Sequence, residues 1–195
     1  MSNIALQQPA TLWDRRGKEM INGKIVTMAP VRPDHWRVSK RISTTFDNYF
    51  EGKSCEVFSD VPVYLSKGNK VAPDIAVVCD RSIVKGNGIH GVPDLVAEIL
   101  SPSTAARDKT EKKDIYEEFG VKEYWIVDAK SHIVEAYLLR DGKYMTSGIY
   151  TIHDEFDKME MTDEEKAEIV TQFKTSLFDD LIIDINEVFK DLLDQ

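Results

Sequence analysis

Cysteine is nearly absent from this 195-residue chain: Cys55 and Cys79 stand alone, too few for a disulfide framework, a zinc knuckle or a paired redox motif. Each reads as a small core or strand residue. Glycine (10) and proline (7) are sparse, which excludes collagen-like and low-complexity chains. Nowhere do eighteen apolar residues run together, and "MSNIALQQPATLWDRR" has no uninterrupted apolar core behind a basic start. Neither a membrane span nor a secretory signal is therefore expected, and a cytoplasmic location is the default. A glycine-rich phosphate loop, a dinucleotide fingerprint and a G-x-S-x-G elbow are also missing. His90, His132 and His153 fall at no metal-ligand spacing.

What is present is a globular composition, 42% apolar and 30% charged, expected to fold as one domain over residues 1–195. The net charge of −9 opposes phosphate binding, which calls for lysine and arginine, but the charge is unevenly spread. Residues 1–113 hold 17 Lys+Arg against 13 Asp+Glu, whereas residues 114–195 hold 8 against 21. An anionic ligand is thus tolerable in the first part, with the acidic remainder supplying solubility.

Turn and period signals divide the chain. Asn22-Gly23 predicts a hairpin near 19–28. From Pro33, Trp36, Ile42, Phe46, Tyr49 and Phe50 recur near helical spacing, with Gly52 as a stop. "CEVFSDVPVYL", "PDIAVVC" and "DLVAEIL" read as three successive strands. Lys112, Ile115, Tyr116 and Phe119 then mark one helix face, Asp108 and Glu111 its first turn or capping box, and Gly120 its end. Ser101, Ser103 and Thr104 before it are assigned to capping. "EYWIVD", "HIVEAYLL" and "KYMTSGIYT" are strands, the last two joined at Asp141-Gly142. Residues 153–168 form a solvated loop or short exposed helix, and "INEVFKDLL" a terminal helix. This order predicts an α/β or α+β sandwich with a mixed central sheet.

Glu98, inside "LVAEIL", carries the chemistry. A buried carboxylate costs several kcal/mol unless a cation or donor compensates it. Alternation puts Asp94, Val96, Glu98 and Leu100 on one strand face and Leu95, Ala97 and Ile99 on the other. If the strand after Pro73 is a neighbour, Asp74 approaches Glu98, and paired carboxylates suit Mg²⁺. Lys112, on the helix face that should meet the sheet, could orient or help deprotonate a water while the metal stabilises a phosphate oxygen. Glu98 in a structural ion pair, Lys112 snorkelling, and Asp74 and Asp94 as turn residues after proline are the plainer alternatives. Tyr124 and Trp125 read as core or subunit contact before base-stacking platforms.

"VAPDIAVV", "GVPDLVAEILSPSTAARDKTEKKDIYEEFGVKEYWIVDA" and "SLFDDLIIDINEVF" resemble the bacterial putative restriction endonuclease family within the PD-(D/E)XK nuclease superfamily. The likeness runs from about residue 10 to about 190, most specifically over 72–129. It implies a restriction-endonuclease-like core with hairpin extensions, and an endonuclease-like hydrolase using Mg²⁺ or Mn²⁺ to cut nucleic acid, DNA foremost. Asp74, Glu98 and Lys112 would be the catalytic set, with Asp74, Glu98 and the Ile99 carbonyl on the metal. Glu19, His35 and Asp94 are secondary candidates. The superfamily's lysine two positions beyond the second acid is replaced here by Leu100, so Lys112 takes its place, with Lys109 and Lys113 as rivals. A non-catalytic nucleic-acid- or protein-binding module retaining the fold is the alternative function. A homodimer resting on the EYW strand and terminal helix is a third.

Overall fold

The computed structural model describes residues 17–28 and 30–192. The N-terminal stretch read for a secretory signal, and the last residue of "INEVFKDLL", lie outside the described residues. β1 (Lys18–Ile21) and β2 (Lys24–Thr27) form the expected hairpin. Asn22 and Gly23 have φ of 49° and 76°, the left-handed pair that a primed two-residue turn requires. α1 (Pro33–Phe50) starts on its first-turn proline and buries Val38, Ile42, Phe46 and Phe50. Trp36 does not belong to that stripe: it is 55% exposed. Two residues along a helix turn the side chain by about 200°, so Trp36 leaves the side opposite Val38.

The segment around residues 55–65, expected as one strand, is split between two sheets. β3 (Glu56–Phe58) and β4 (Val63–Tyr64) are separated by Asp60, whose φ is 55°, and by Pro62, which cannot donate to a ladder. β5 (Lys70–Val71), β6 (Ile75–Val78), β7 (Val84–Lys85), β8 (Gly88–Ile89) and β9 (Leu95–Ile99) follow. The next helix begins earlier than Asp108: α2 (Ala105–Arg107) runs into a π-helical stretch (Asp108–Lys112) and then α3 (Lys113–Phe119). Gly120, at φ 87°, closes it. Thr104 holds the N-cap position without a cap hydrogen bond, its hydroxyl meeting Ser101 Oγ at 2.9 Å. The Ser101–Thr104 cluster therefore braces itself instead of capping.

β10 (Glu123–Asp128), β11 (Ile133–Arg140) and β12 (Lys143–Thr151) come next, the last two joined through Asp141 and Gly142 at φ 50° and 75°. The charged tract forms two short exposed helices, α4 (Glu155–Glu160) and α5 (Asp163–Ala167), each with a capping box. β13 (Gln172–Lys174), β14 (Ile182–Asp184) and α6 (Ile185–Val188) complete the order. α6 is shorter than its sequence pattern suggested, yet Ile185 and Val188 are buried and Leu192 packs on the same core.

The large sheet is ordered β12-β11-β10-β9-β6-β3 and is mixed as expected. β9 and β10 run parallel, which demands a crossover, and α2–α3 provides it. A smaller sheet is ordered β2-β1-β5-β4-β8-β7, and β13 pairs with β14. Alternation divides the large sheet between two cores. Leu95, Ala97, Ile99, Ile75 and Val77 pack against Val38, Ile42 and Phe46 of α1. Val96, Ala76, Val78 and Ile126 pack on the other face against Ile115 and Tyr116 of α3 and against Ile21, Val63 and Val71 of the small sheet. Tyr124 and Trp125 are fully buried on central β10, so they are core and give a second copy no surface.

Cys55 and Cys79 are not separate core residues but a disulfide. Glu56 lies opposite Val78 in the β3–β6 ladder, so the next step along brings the two cysteines face to face. Among the described residues no helix is long and apolar enough to cross a membrane.

Candidate active site

The register of β6 against β9 places Ile75 opposite Ala97, and one step further Asp74 opposes Glu98. Directly opposed residues send their side chains to one face, Cβ atoms about 5 Å apart. That face is the one predicted for Glu98, shared with Val96. Asp74 Oδ2 accepts the Ile99 N–H at 2.6 Å and lies 3.2 Å from His35 Nε2. It thus closes the strand end, as a turn residue would, while also facing the cleft. Glu98, 3% exposed, accepts at Oε1 from Lys112 Nζ at 2.6 Å and Tyr116 OH at 2.7 Å.

Lys112 is as buried as Glu98. Its ammonium also reaches Glu19 Oε1 at 3.1 Å and Asp108 Oδ1 at 3.7 Å. Glu19, carried by β1, accepts the Ala72 N–H at 3.0 Å, which ties the hairpin to the strand entering Asp74. These groups, with Asp60 and Ile99, line one cleft of ≈ 50 Å³. The rival lysines point elsewhere: Lys109 pairs with Glu135 at 2.7 Å, and Lys113 lies 3.4 Å from the Tyr137 ring centroid. Asp94 is at the far end of β9, where it accepts from Cys79 N–H at 2.8 Å and Lys122 Nζ at 2.6 Å. It does not line the cleft.

Five carboxylates, Glu19, Asp60, Asp74, Glu98 and Asp108, share this space with one lysine and one histidine. Burial pushes the Glu98 carboxyl well up; Lys112 opposes this, while Asp108, Asp74 and Glu19 add to it. Asp108 is raised for the same first reason, and Asp60 by burial and by Asp74. Burial would lower Lys112, but Glu98, Glu19 and Asp108 outweigh it and hold the ammonium charged. Burial likewise depresses His35, and the hydrogen bond and charge of Asp74, with Asp60 and the Ile99 carbonyl, reverse the shift to a net rise.

The donor set fits a hard cation. Asp74 and Glu98 each have one oxygen engaged, leaving Oδ1 and Oε2 without a protein partner among the described residues. The excess of negative charge favours a divalent ion. Among the described residues no three His, Cys, Asp or Glu side chains already converge as a ligand set. A metal here would draw on two carboxylates, a carbonyl and water, the sparse protein ligation usual for Mg²⁺. His35 Nδ1 is buried with no hydrogen-bond partner among the described residues, a third polar atom left over for a ligand.

Sequence reasoning missed Asp60, Asp108 as a cleft residue, and the Tyr116 hydroxyl. For Tyr116 a signal existed, since it lies four residues after Lys112 and such pairs share a helix face. Asp108, four residues before Lys112, carried the same signal, and both are buried in the π-helical stretch. Asp60 offered only its interruption of an apolar run.

Residues 14–170 match the family Uma2, described as "Putative restriction endonuclease". An uncharacterized protein of Synechocystis is 32% identical over 135 residues, 66% of this chain and 71% of its own length. A second from the same organism is 28% identical over 124 residues, 61% of this chain and 70% of its own. The crystal structure of a "putative nuclease belonging to DUF820" from Anabaena variabilis superposes with a TM-score of 0.68 at 18% identity, covering 88% of this chain and 89% of that one. The two share the fold.

Proposed function

Because the chain belongs to the Uma2 "Putative restriction endonuclease" family and has a nuclease fold, we propose that it is a divalent-metal-dependent endonuclease hydrolysing phosphodiester bonds, with DNA as its substrate. The observation that carries this reading is the opposition of Asp74 and Glu98 across one strand pair, each with an oxygen to spare, beneath a buried Lys112. Asp74, Glu98 and the Ile99 carbonyl would hold Mg²⁺ or Mn²⁺. Such an ion, when bound, supplies a Lewis acid for the phosphate oxygens and a more acidic water.

The chain's own residues do the rest. Lys112, an ammonium with three donors and no acceptor, is fixed by Glu98 and Glu19, with Asp108 at 3.7 Å beyond a hydrogen bond, and orients the attacking water with its remaining N–H on that water's lone pair. Its retained charge suits this better than proton abstraction. Tyr116 holds Glu98 in one rotamer through its hydroxyl. His35, with Nε2–H on Asp74 and its pKa raised on balance, donates from Nδ1 to a non-bridging phosphate oxygen when it is an imidazolium. Glu19 and Asp108 are positioning residues that act through Lys112.

Purified protein with millimolar Mn²⁺ should cut members of a broad DNA and RNA panel. Calorimetry should detect Mn²⁺ binding that Asp74→Asn and Glu98→Gln both abolish. An uncut panel together with no bound metal would overturn the reading.

A further inference from the structure

Beside the cleft lies a hollow of ≈ 180 Å³. His35 and Ser101 line both spaces, so the two adjoin there. Leu100, Pro102 and Ala105 give the hollow an apolar lining, to which Arg32 and Lys130 also contribute. Two acids, Asp34 and Asp128, line the hollow as well, each engaged by a local partner. Asp34 takes Arg37 at 2.7 Å, and Asp128 accepts the N–H groups of Lys130 and Ser131 at 2.9 and 3.2 Å. Arg32 and Lys130 have no side-chain ion pair or hydrogen bond among the described residues. In a chain of net charge −9, Arg32 and Lys130 beside this apolar lining are cations open to an anion that carries a flat apolar group. The volume falls below the ~300 Å³ at which pockets for whole drug-sized ligands begin, so one part of a larger ligand fits.

A second feature continues from the first. Arg32 also borders the surface around Trp36. Lys40 Nζ lies 4.9 Å from the centre of the Trp36 ring. Arg32 is the extended residue that precedes α1, and Trp36 and Lys40, spaced i, i+4 along the helix, share its outer side. The Trp36 indole, 55% exposed, offers a face on which a base can stack, with Arg32 and Lys40 beside it for the flanking phosphates.

We infer that unpaired nucleotides adjoining the scissile phosphate pass from the cleft into this hollow and stack on Trp36, so that the substrate is single-stranded nucleic acid or a strand locally released from its duplex. The inference deepens the nuclease reading and rests on it for the position of the scissile phosphate. A base inside a duplex buries both its faces against neighbours and offers none to an indole, and the hollow has no room for a base pair.

The test is fluorescence anisotropy of the full chain in EDTA, titrated into a labelled 12-nucleotide oligothymidylate and a blunt duplex of equal length. The single strand should bind more tightly. Trp36→Ala should weaken that binding roughly 5- to 150-fold, the equivalent of ~1–3 kcal/mol per stacked base, while Trp36→Phe retains most of it and duplex binding stays unchanged. Arg32→Ala with Lys130→Ala should reduce the slope of log affinity against log salt by about 1.4, at ~0.7 per phosphate on a single strand. Melting temperature and Mn²⁺ binding of the Trp36 variants should match wild type. Unchanged single-strand binding in Trp36→Ala, an equal loss on the duplex, or Trp36 shielded from acrylamide in the free protein would each overturn the inference. If Mn²⁺ binds and substrates are cut with the same KM after Trp36→Ala, this inference alone fails. If wild type binds neither Mn²⁺ nor either strand, the nuclease reading fails with it.

Discussion

Lys112 and Glu98 form one contact, yet removing either should have opposite consequences. Lys112→Met strips the shared cation from Glu98, Glu19 and Asp108, all buried. Breaking a buried pair this way typically costs about 3–5 kcal/mol, and chemical denaturation at neutral pH without metal should show a loss of that order. Glu98→Gln removes one of several crowded negative charges and leaves Lys112 with Glu19 and Asp108. Its melting temperature should equal or exceed wild type while cleavage is lost. A drop in stability after Glu98→Gln would mean that the pair serves the fold alone. Sequence reasoning reached Glu98 because a carboxylate inside an apolar strand run is conspicuous. It reached Lys112 because the residue shares a period with Ile115 and Tyr116. Asp60 lay where an acid is unremarkable, so nothing local singled it out, and Asp108 reads locally as a first-turn or capping residue.

Among the elements, the short strands around the cleft owe their place to close backbone packing. Gly88 in β8 has φ of +141°, and a Cβ there would lie 2.4 Å from the Pro62 carbonyl oxygen. Gly88→Ala should therefore destabilise by about 1–3 kcal/mol, read as a shifted denaturation midpoint at constant m-value. β3 is an edge strand tied to β6 by Cys55–Cys79, which spans a sequence separation of 24. In the chain-entropy account a loop of that size is worth roughly 3 kcal/mol. Cys55→Ser with Cys79→Ser should lose about that much, and an unreduced digest of wild type should yield the 55–79 crosslinked peptide by mass spectrometry. Hairpin turns and helix caps were legible because Asn22-Gly23, Asp141-Gly142 and Gly120 act through their own φ values. The split between β3 and β4 was not, because each half is completed by a different sheet.

For the molecule as a whole, the crowding of acids sets a pH dependence. Glu98 is raised chiefly by burial, against Lys112 and with Asp108, Asp74 and Glu19; Asp108 and Asp60 are raised chiefly by burial. A carboxyl raised in the native state binds more protons there than in the unfolded chain, whose carboxyls titrate near ~4. Stability from these groups is therefore complete at low pH and falls as pH rises through the native pKa values. His35, also raised on balance, acts in the same sense. Metal-free protein should melt at a lower temperature at about pH 8 than at about pH 5.5. Millimolar Mn²⁺ should restore the difference at the higher pH by binding the native state. A melting temperature that rises over this interval without metal would count against the buried acid cluster.

By itself the sequence determined the local conformations and the faces. Turn chemistry and the two periods of helix and strand act over a few residues, and they already sent Glu98 and Lys112 toward a common interior. Tertiary structure alone decided which distant groups met there. The antiparallel register set Asp74 against Glu98, the crossover brought Asp108 and Tyr116 beneath them, and the hairpin delivered Glu19. It also joined Cys55 to Cys79 and turned Trp36 outward. These outcomes depend on pairing between segments tens of residues apart, whose energies are fixed only when the sheets close around one another.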